Sequence, residues 1–265
     1  MKNSLFKLPN RIKDSDIYIA QPFCIFEINN IFDTKFYDNL ISEFPPESEF
    51  KNVFEIGKKN YLNNESKDFF KFLTKNNSYN KLYNYLNNPK IFKKIYNLLK
   101  NEINKIDERK NFNNFFLVTI NNRFIIKILK YFMGLFNIKI VKLGFEFSII
   151  KSNCYIPLHT DKKNKLISLM VYLPDLKKID NPDNWGTCFF KFKDKNEQID
   201  LWDSKFMNEE ESSKFLERME KFYQSPFTAN KLIGFLKTNN SFHKIEKILE
   251  KNALRKSINI NYYIQ

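Results

Sequence analysis

The only histidines in the chain are His159 and His243, and the first lies in His159-Thr160-Asp161, at the end of an apolar run that begins at Tyr155. In an extended chain residues i and i+2 point to the same side, so His159 and Asp161 can converge on one point. His243 lies on a later β-prone run, and in a rolled sheet strands so remote in sequence can face each other across the interior. Two imidazoles and one carboxylate on one face of an iron ion leave its other face open, which is what an O2-activating Fe(II) centre needs. Each imidazole binds as the neutral base. An inert reading stands beside this one: a lone His-x-Asp is common, and a buried histidine is more often a hydrogen-bonded core residue than a ligand.

Arg255-Lys256-Ser257 follows soon after His243, at the start of the last β-prone run, and again the i and i+2 pair faces one way. A guanidinium is permanently charged and forks onto carboxylate, with a hydroxyl beside it to complete the cradle. Inside a barrel such a cation requires an anionic partner. Three side chains of metal-ligating type and an anion cradle in compatible register therefore point to a metal site beside a carboxylate site.

Two kinds of region must position these residues. Up to about residue 140 helical spacing dominates. The apolar stretch Phe23 to Ile28 reads as a strand, and Asp33 as the N-cap of a helix carrying Phe36, Leu40, Ile41 and Phe44, stopped by Pro45 and Pro46. Ser78 to Leu86 and Pro89 to Ile106 follow as helices, with Pro89 in the first turn of the second. Phe124 to Ile140 reads as an amphipathic helix packed on a core, its polar side made by Lys127, Lys130, Gly134 and Asn137. Because that side is basic, a membrane-surface role is the lesser reading of the same helix.

After residue 140 the period changes. Leu143, Phe145, Phe147 and Ile149 alternate with Gly144, Glu146 and Ser148, as in a strand. Leu166 to Leu173, Thr187 to Phe192, Leu232 to Leu236, Phe242 to Ile248 and Arg255 to Ile264 are further β-prone runs, and many short strands mean a sandwich or barrel. One helical insertion, at about 204–228, interrupts them, with a helix expected from Glu209 to Tyr223, capped by Asn208 and turning Phe215, Leu216, Met219 and Phe222 inward. The expected organisation is thus a strand and support helices over residues 1–140, packed on a mainly β core over 141–265.

Composition narrows the partners. The chain has 265 residues, 43% of them hydrophobic and 17% aromatic, ample for a packed interior despite a mean hydropathy of -0.50. The net charge of +14 invites a nucleic-acid partner. Yet arginine, which reads bases and forks onto phosphates, occurs only as Arg11, Arg109, Arg123, Arg218 and Arg255, and lysine is scattered along the whole length. The expectation is a solvated basic surface rather than a nucleic-acid site. Cys24, Cys154 and Cys188 are far apart and odd in number, which suggests neither a disulfide framework nor a cysteine-based zinc site and fits a reducing cytoplasm. No secretory h-region or membrane-spanning apolar run is recognised.

The pattern His159, Asp161, then a distant His243, then Arg255 and Ser257 resembles the 2-oxoglutarate and Fe(II)-dependent oxygenase superfamily, and most of all its prolyl-4-hydroxylase-like branch. Ser168-Leu169-Met170-Val171-Tyr172-Leu173 is similar to the strand after the ligand strand in that family, and Pro22 to Ile28 with the helix up to Phe44-Pro45 is similar to its opening strand and first support helix. The resemblance implies a double-stranded β-helix, a jelly roll of two antiparallel sheets buttressed by N-terminal helices. It implies iron held by His159, Asp161 and His243, and 2-oxoglutarate as co-substrate with its far carboxylate on Arg255, Ser257 and Tyr172. O2 would be the oxidant, and a small-molecule, peptidyl or sugar substrate would be hydroxylated as 2-oxoglutarate goes to succinate and carbon dioxide.

There are departures. Trp185-Gly186-Thr187 stands where the family often has a Gly-Gly-Glu-like turn, and Asn261 stands where the nucleic-acid demethylases carry a second arginine, which speaks against a base-repair role. Trp185 and Trp202 either line a substrate mouth or pack beneath a loop. The alternative to an enzyme is a jelly-roll binding module that keeps the shape without the oxidation.

Overall fold

The structure, a computed structural model, describes residues 5–106, 112, 114–118, 123–174, 182–194, 196–197 and 209–265. Short strands and helices come first: β1 (Ile17–Ile19), β2 (Ile25–Ile28), α1 (Thr34–Ser42), β3 (Asn52–Phe54), β4 (Lys59–Asn63), α2 (Lys67–Lys75), α3 (Asn77–Leu86), α4 (Pro89–Ile106), β5 (Phe115–Val118) and α5 (Arg123–Leu135). Strands then prevail: β6 (Lys139–Lys151), β7 (Ile156–His159), β8 (Lys165–Tyr172), β9 (Thr187–Phe192), β10 (Met219–Gln224), β11 (Leu232–Leu236), β12 (Phe242–Ile245) and β13 (Leu254–Ile264), with α6 (Glu209–Glu217) before β10.

The strands from β6 onward are shared between two sheets. The larger carries β11, β8, β13 and β6 side by side in that order, and the smaller consists of β10, β9, β12 and β7. Successive strands change sheet at every step except from β9 to β10, and each pairing among these eight is antiparallel. The N-terminal strands widen the larger sheet. β2 joins β11 with β1 beyond it, while β4 and the parallel β5 share the far edge of β6. Gly234 of β11 leaves room for the ring of its register partner Phe26 on β2, since a Cβ there would stand 2.2 Å from Phe26 Cζ.

Period-two alternation gives the larger sheet two different faces. Phe145, Phe147 and Ile149 of β6, Ile167, Leu169 and Val171 of β8, and Ile258, Ile260 and Tyr262 of β13 join the core shared with α1 to α4. Phe147 is the hub: its ring meets those of Phe44, Phe69, Phe72, Tyr79 and Phe145 at centroid distances of 4.8–5.7 Å. Two of these helices start on good caps, Asp33 accepting from the Phe36 N–H in α1 and Ser66 from the Phe69 N–H in α2. The residues of opposite parity face the smaller sheet. Ile150, Tyr172, Ile233 and Phe235 pack there with Phe189 and Ile245, alongside the polar residues Ser148, Ser168, Arg255 and Ser257.

Three expectations need correction. The helix predicted to run to Ile140 ends at Leu135. Asn137 adopts φ 52, and the Ile138 and Asn137 N–H groups donate to the Met133 and Gly134 carbonyls, a left-handed C-terminal stop that frees Lys139 onward to enter β6. Nor is that helix packed on a core by its apolar side: Ile126 is buried, whereas Phe124, Tyr131, Phe132 and Leu135 are exposed. The helix predicted up to Tyr223 ends at Glu217, because Met219 to Gln224 pair antiparallel with β9 as strand β10. Its proposed cap Asn208, and Trp202, lie outside the described residues.

Candidate metal centre

His159 ends β7, Asp161 follows it by two residues, and His243 lies on β12. One ligand-type atom from each comes within 4.8 Å of the others, and all three side chains are buried. The histidines do not face each other across the interior as predicted. They are direct register partners on adjacent strands of the smaller sheet, with ring centroids 4.1 Å apart. Antiparallel pairing achieves what the sequence distance obscures: two strands that meet late in the chain's path place one imidazole beside the other.

Backbone carbonyls set the tautomer of both rings. His159 Nδ1 lies 2.9 Å from the Pro157 carbonyl and His243 Nδ1 3.0 Å from the Ser241 carbonyl. A carbonyl only accepts, so each Nδ1 carries the proton and each Nε2 presents a lone pair, the form in which histidine ligates. Burial, reinforced by the neighbouring His243, holds His159 well below the usual histidine range, and burial lowers His243 as well. Both rings are neutral bases near neutral pH.

Asp161 is anchored at both oxygens. Lys165 Nζ donates to Oδ1 at 2.7 Å and Ser168 Oγ to Oδ2 at 2.9 Å, and Lys165 and Ser168 are themselves buried. Burial pushes the carboxyl toward its neutral form, but the charge and hydrogen bond of Lys165 outweigh that and hold it well below the usual carboxylate range. An ionised carboxylate oxygen keeps a second lone pair after one hydrogen bond, so Asp161 remains able to ligate. Three donors of this type, neutral nitrogen twice and one carboxylate oxygen, fit a divalent first-row metal.

Arg255 is 1% exposed, yet its guanidinium is incompletely satisfied. Nε donates to the Trp185 carbonyl at 2.6 Å, Nη1 is 3.4 Å from Ser257 Oγ, and Nη2 has no hydrogen-bond partner. Among the described residues no carboxylate forms an ion pair with it. The rings of Tyr172 and Phe227 lie 5.1 and 5.0 Å from the guanidinium carbon. Burial lowers its pKa, but a guanidinium stays charged, so a buried cation with a free donor calls for an anionic acceptor. Ser257 and Tyr172 are register partners on β13 and β8, which brings the third expected residue to the same place. The Tyr172 hydroxyl is engaged by Thr187, 2.9 Å from its Oγ1 and accepting from its N–H at 3.2 Å.

All six residues expected from sequence thus lie on or beside the two facing sheets, with the histidines and Asp161 at the smaller sheet and Arg255, Ser257 and Tyr172 on the larger. Beside His243 stand Phe235, whose ring is 4.7 Å from the imidazole, and Phe189, 5.4 Å from Phe235. Sequence reasoning missed the roles of Lys165, Ser168, Thr187 and Phe227. For the first two a signal existed, because a lysine and a serine interrupt the otherwise apolar β8 without lying on an exposed edge. Trp185 is buried and stacks 6.0 Å from Phe227, so it packs beneath the Arg255 end rather than lining a mouth.

No protein-family profile matches this sequence and no curated protein is similar to it. Solved structures are. A prolyl 4-hydroxylase from Phytophthora capsici shares 11% identity at a TM-score of 0.50, over 91% of this chain and 58% of that one. The chain therefore spans a little over half the length of that structure. A Pseudomonas putida prolyl-4-hydroxylase matches at 9% identity and TM-score 0.44 over 92% of this chain and 94% of that one, and the epimerase SnoN, in complex with Fe3+, alpha ketoglutarate and nogalamycin RO, at 12% identity and TM-score 0.46 over 90% and 78%. The first of these likenesses establishes that the chain has the fold of a prolyl 4-hydroxylase structure.

Proposed function

We propose that this chain is an Fe(II)- and 2-oxoglutarate-dependent dioxygenase of the prolyl-4-hydroxylase-like branch, a hydroxylase of a small-molecule, peptidyl or sugar substrate. The observation that carries the reading is the convergence of His159, Asp161 and His243, three buried ligand-type groups within 4.8 Å. The unsatisfied, buried Arg255 beside Ser257 and Tyr172 supports the co-substrate assignment, and the likeness to a prolyl 4-hydroxylase structure supports the branch. The order β11-β8-β13-β6 facing β10-β9-β12-β7 supports a double-stranded β-helix, with residues 141–265 as its core and 1–140 as support.

In this reading His159, Asp161 and His243 hold the metal, while Arg255 and Ser257 take the distal carboxylate of 2-oxoglutarate. Bound together, Fe(II) and 2-oxoglutarate would supply oxygen activation, with one atom of O2 going to succinate as carbon dioxide leaves and the other to a substrate C–H bond. The protein's part is preorganisation. The Pro157 and Ser241 carbonyls hold the imidazoles in the ligating tautomer, and Lys165 and Ser168 keep Asp161 ionised and fixed. Tyr172 and Phe227 enclose the guanidinium in a dry wall, where a charge-assisted pair with a carboxylate is stronger than in water.

Anaerobic Fe(II) or Mn(II) titration followed by a panel screen for substrate-stimulated succinate tests the proposal. Stoichiometric metal binding, succinate formation and a product heavier by one oxygen are expected. A chain that binds no metal and makes no succinate with any substrate class is no oxygenase.

A further inference from the structure

We infer that α5 is an in-plane anchor that docks this protein on an anionic lipid surface. The helix carries three stripes of the same helical spacing. Ile126, Leu129 and Met133 form the first, with Ile126 buried and the other two half-buried, and through it the helix rests on β6. A second stripe is basic, with Lys127 and Lys130 exposed on it. The third is apolar and faces water: Phe124 is 71% exposed, Tyr131 70% and Leu135 67%, with Ile128 and Phe132 also exposed, and Phe136 just past the helix end 71%. A surface helix in an ordinary globular fold turns its aromatic stripe inward. This one turns inward only the narrower of its two apolar stripes.

Charge selects the occupant of the exposed face. From Arg109 to Phe145 the sequence holds no acidic residue, while Arg123, Lys127, Lys130 and Lys139 fall within and around the helix. A wide aromatic face flanked by lysines, with low opposing charge, is the pattern of a helix lying at a headgroup boundary: the rings enter the acyl region and the lysines meet anionic headgroups. Two copies of this face packed together would bring lysine stripes toward each other with no carboxylate in the segment to neutralise them. Spanning is excluded by length, since α5 covers 13 residues where about 20 are needed to cross a bilayer. No helix among the described residues is long and apolar enough to cross a membrane.

The test is co-sedimentation of the full chain with vesicles of phosphatidylcholine alone, or of phosphatidylcholine with phosphatidylserine at about one lipid in three. Binding is expected to the second and not the first, weakening as salt rises. The exposed double substitutions Phe132→Glu with Phe136→Glu, and Lys127→Glu with Lys130→Glu, should each lower vesicle binding by ~10-fold or more while leaving the thermal unfolding curve in place. The inference is overturned if serine-containing vesicles fail to pellet the chain, or if the Phe132→Glu, Phe136→Glu variant binds them as well as the parent. It is also overturned if sedimentation equilibrium shows a dimer of the parent that this variant converts to monomer, which would assign the face to a second copy.

Discussion

His159 and His243 are cross-strand partners on β7 and β12, paired in register with their rings 4.1 Å apart, and each ring's Nδ1 is bonded to a carbonyl two residues before it. Each histidine is thereby aimed by its own strand. A ligand pair held this way needs little rearrangement to take a metal, which is the property a preorganised centre requires.

Removing one ring should therefore abolish metal binding without unfolding the chain. His243→Ala is expected to lower Mn(II) affinity by ~100-fold or more, since even substitutions behind a ligand cost 10–100-fold. Calorimetric titration reads the affinity and circular dichroism the fold. Parent-like affinity in the variant would remove His243 from the ligand set.

Much of this arrangement was legible in the sequence. The period-two runs after residue 140 located β6, β8, β9, β11 and β13, and the i, i+2 pairs located both halves of the site. What escaped was governed by tertiary contacts. Ser148 and Ser168 alternate with apolar residues as a water-facing stripe would, yet they are 1% and 3% exposed because the smaller sheet covers that face. Met219 to Gln224 carry helical spacing but gain more by pairing with β9. No local pattern indicates that α5 meets β6 through only one of its three stripes, so its apolar side was expected inward.

Lys165 Nζ and Asp161 Oδ1 form an ion pair at 2.7 Å in which both residues are buried. Breaking a buried ion pair by removing one partner costs about 3–5 kcal/mol, because the other charge stays buried without compensation. Lys165→Met should accordingly destabilise the metal-free chain by about that amount in urea unfolding. A divalent ion at Asp161 restores the lost positive charge, so saturating Mn(II) should raise the unfolding midpoint of the variant more than that of the parent. Equal metal-induced shifts in the two proteins would mean that Lys165 and the ion do not share the carboxylate.

Phe147 joins α2, α3 and the turn after α1 to β6 through ring contacts with Phe44, Phe69, Phe72 and Tyr79. It is fully buried, and Phe147→Ala should cost about 3–5 kcal/mol, the usual range for a large aromatic lost from a core. Chemical denaturation measures this directly. A loss below about 1 kcal/mol would show that the helices close over the gap and that the hub is not what couples them to the sheet.

The proposed co-substrate and metal sites can be probed separately, because Arg255 lies on β13 of the larger sheet while His159, Asp161 and His243 lie at the smaller one. Arg255→Gln should leave Mn(II) affinity near the parent value and weaken 2-oxoglutarate binding by ~100-fold, the scale of about 2–5 kcal/mol for truncating one side of a buried charge pair. Arg255→Lys keeps the charge but loses the fork, and the lysine also lacks the planar face that Tyr172 and Phe227 enclose. It should recover only part of the affinity, about a factor of ten. Binding of 2-oxoglutarate to the Mn(II)-loaded protein, followed calorimetrically, distinguishes the two variants. If Arg255→Gln binds the keto acid as tightly as the parent does, the free Nη2 donor of Arg255 serves some other anion and the co-substrate assignment fails while the metal assignment stands.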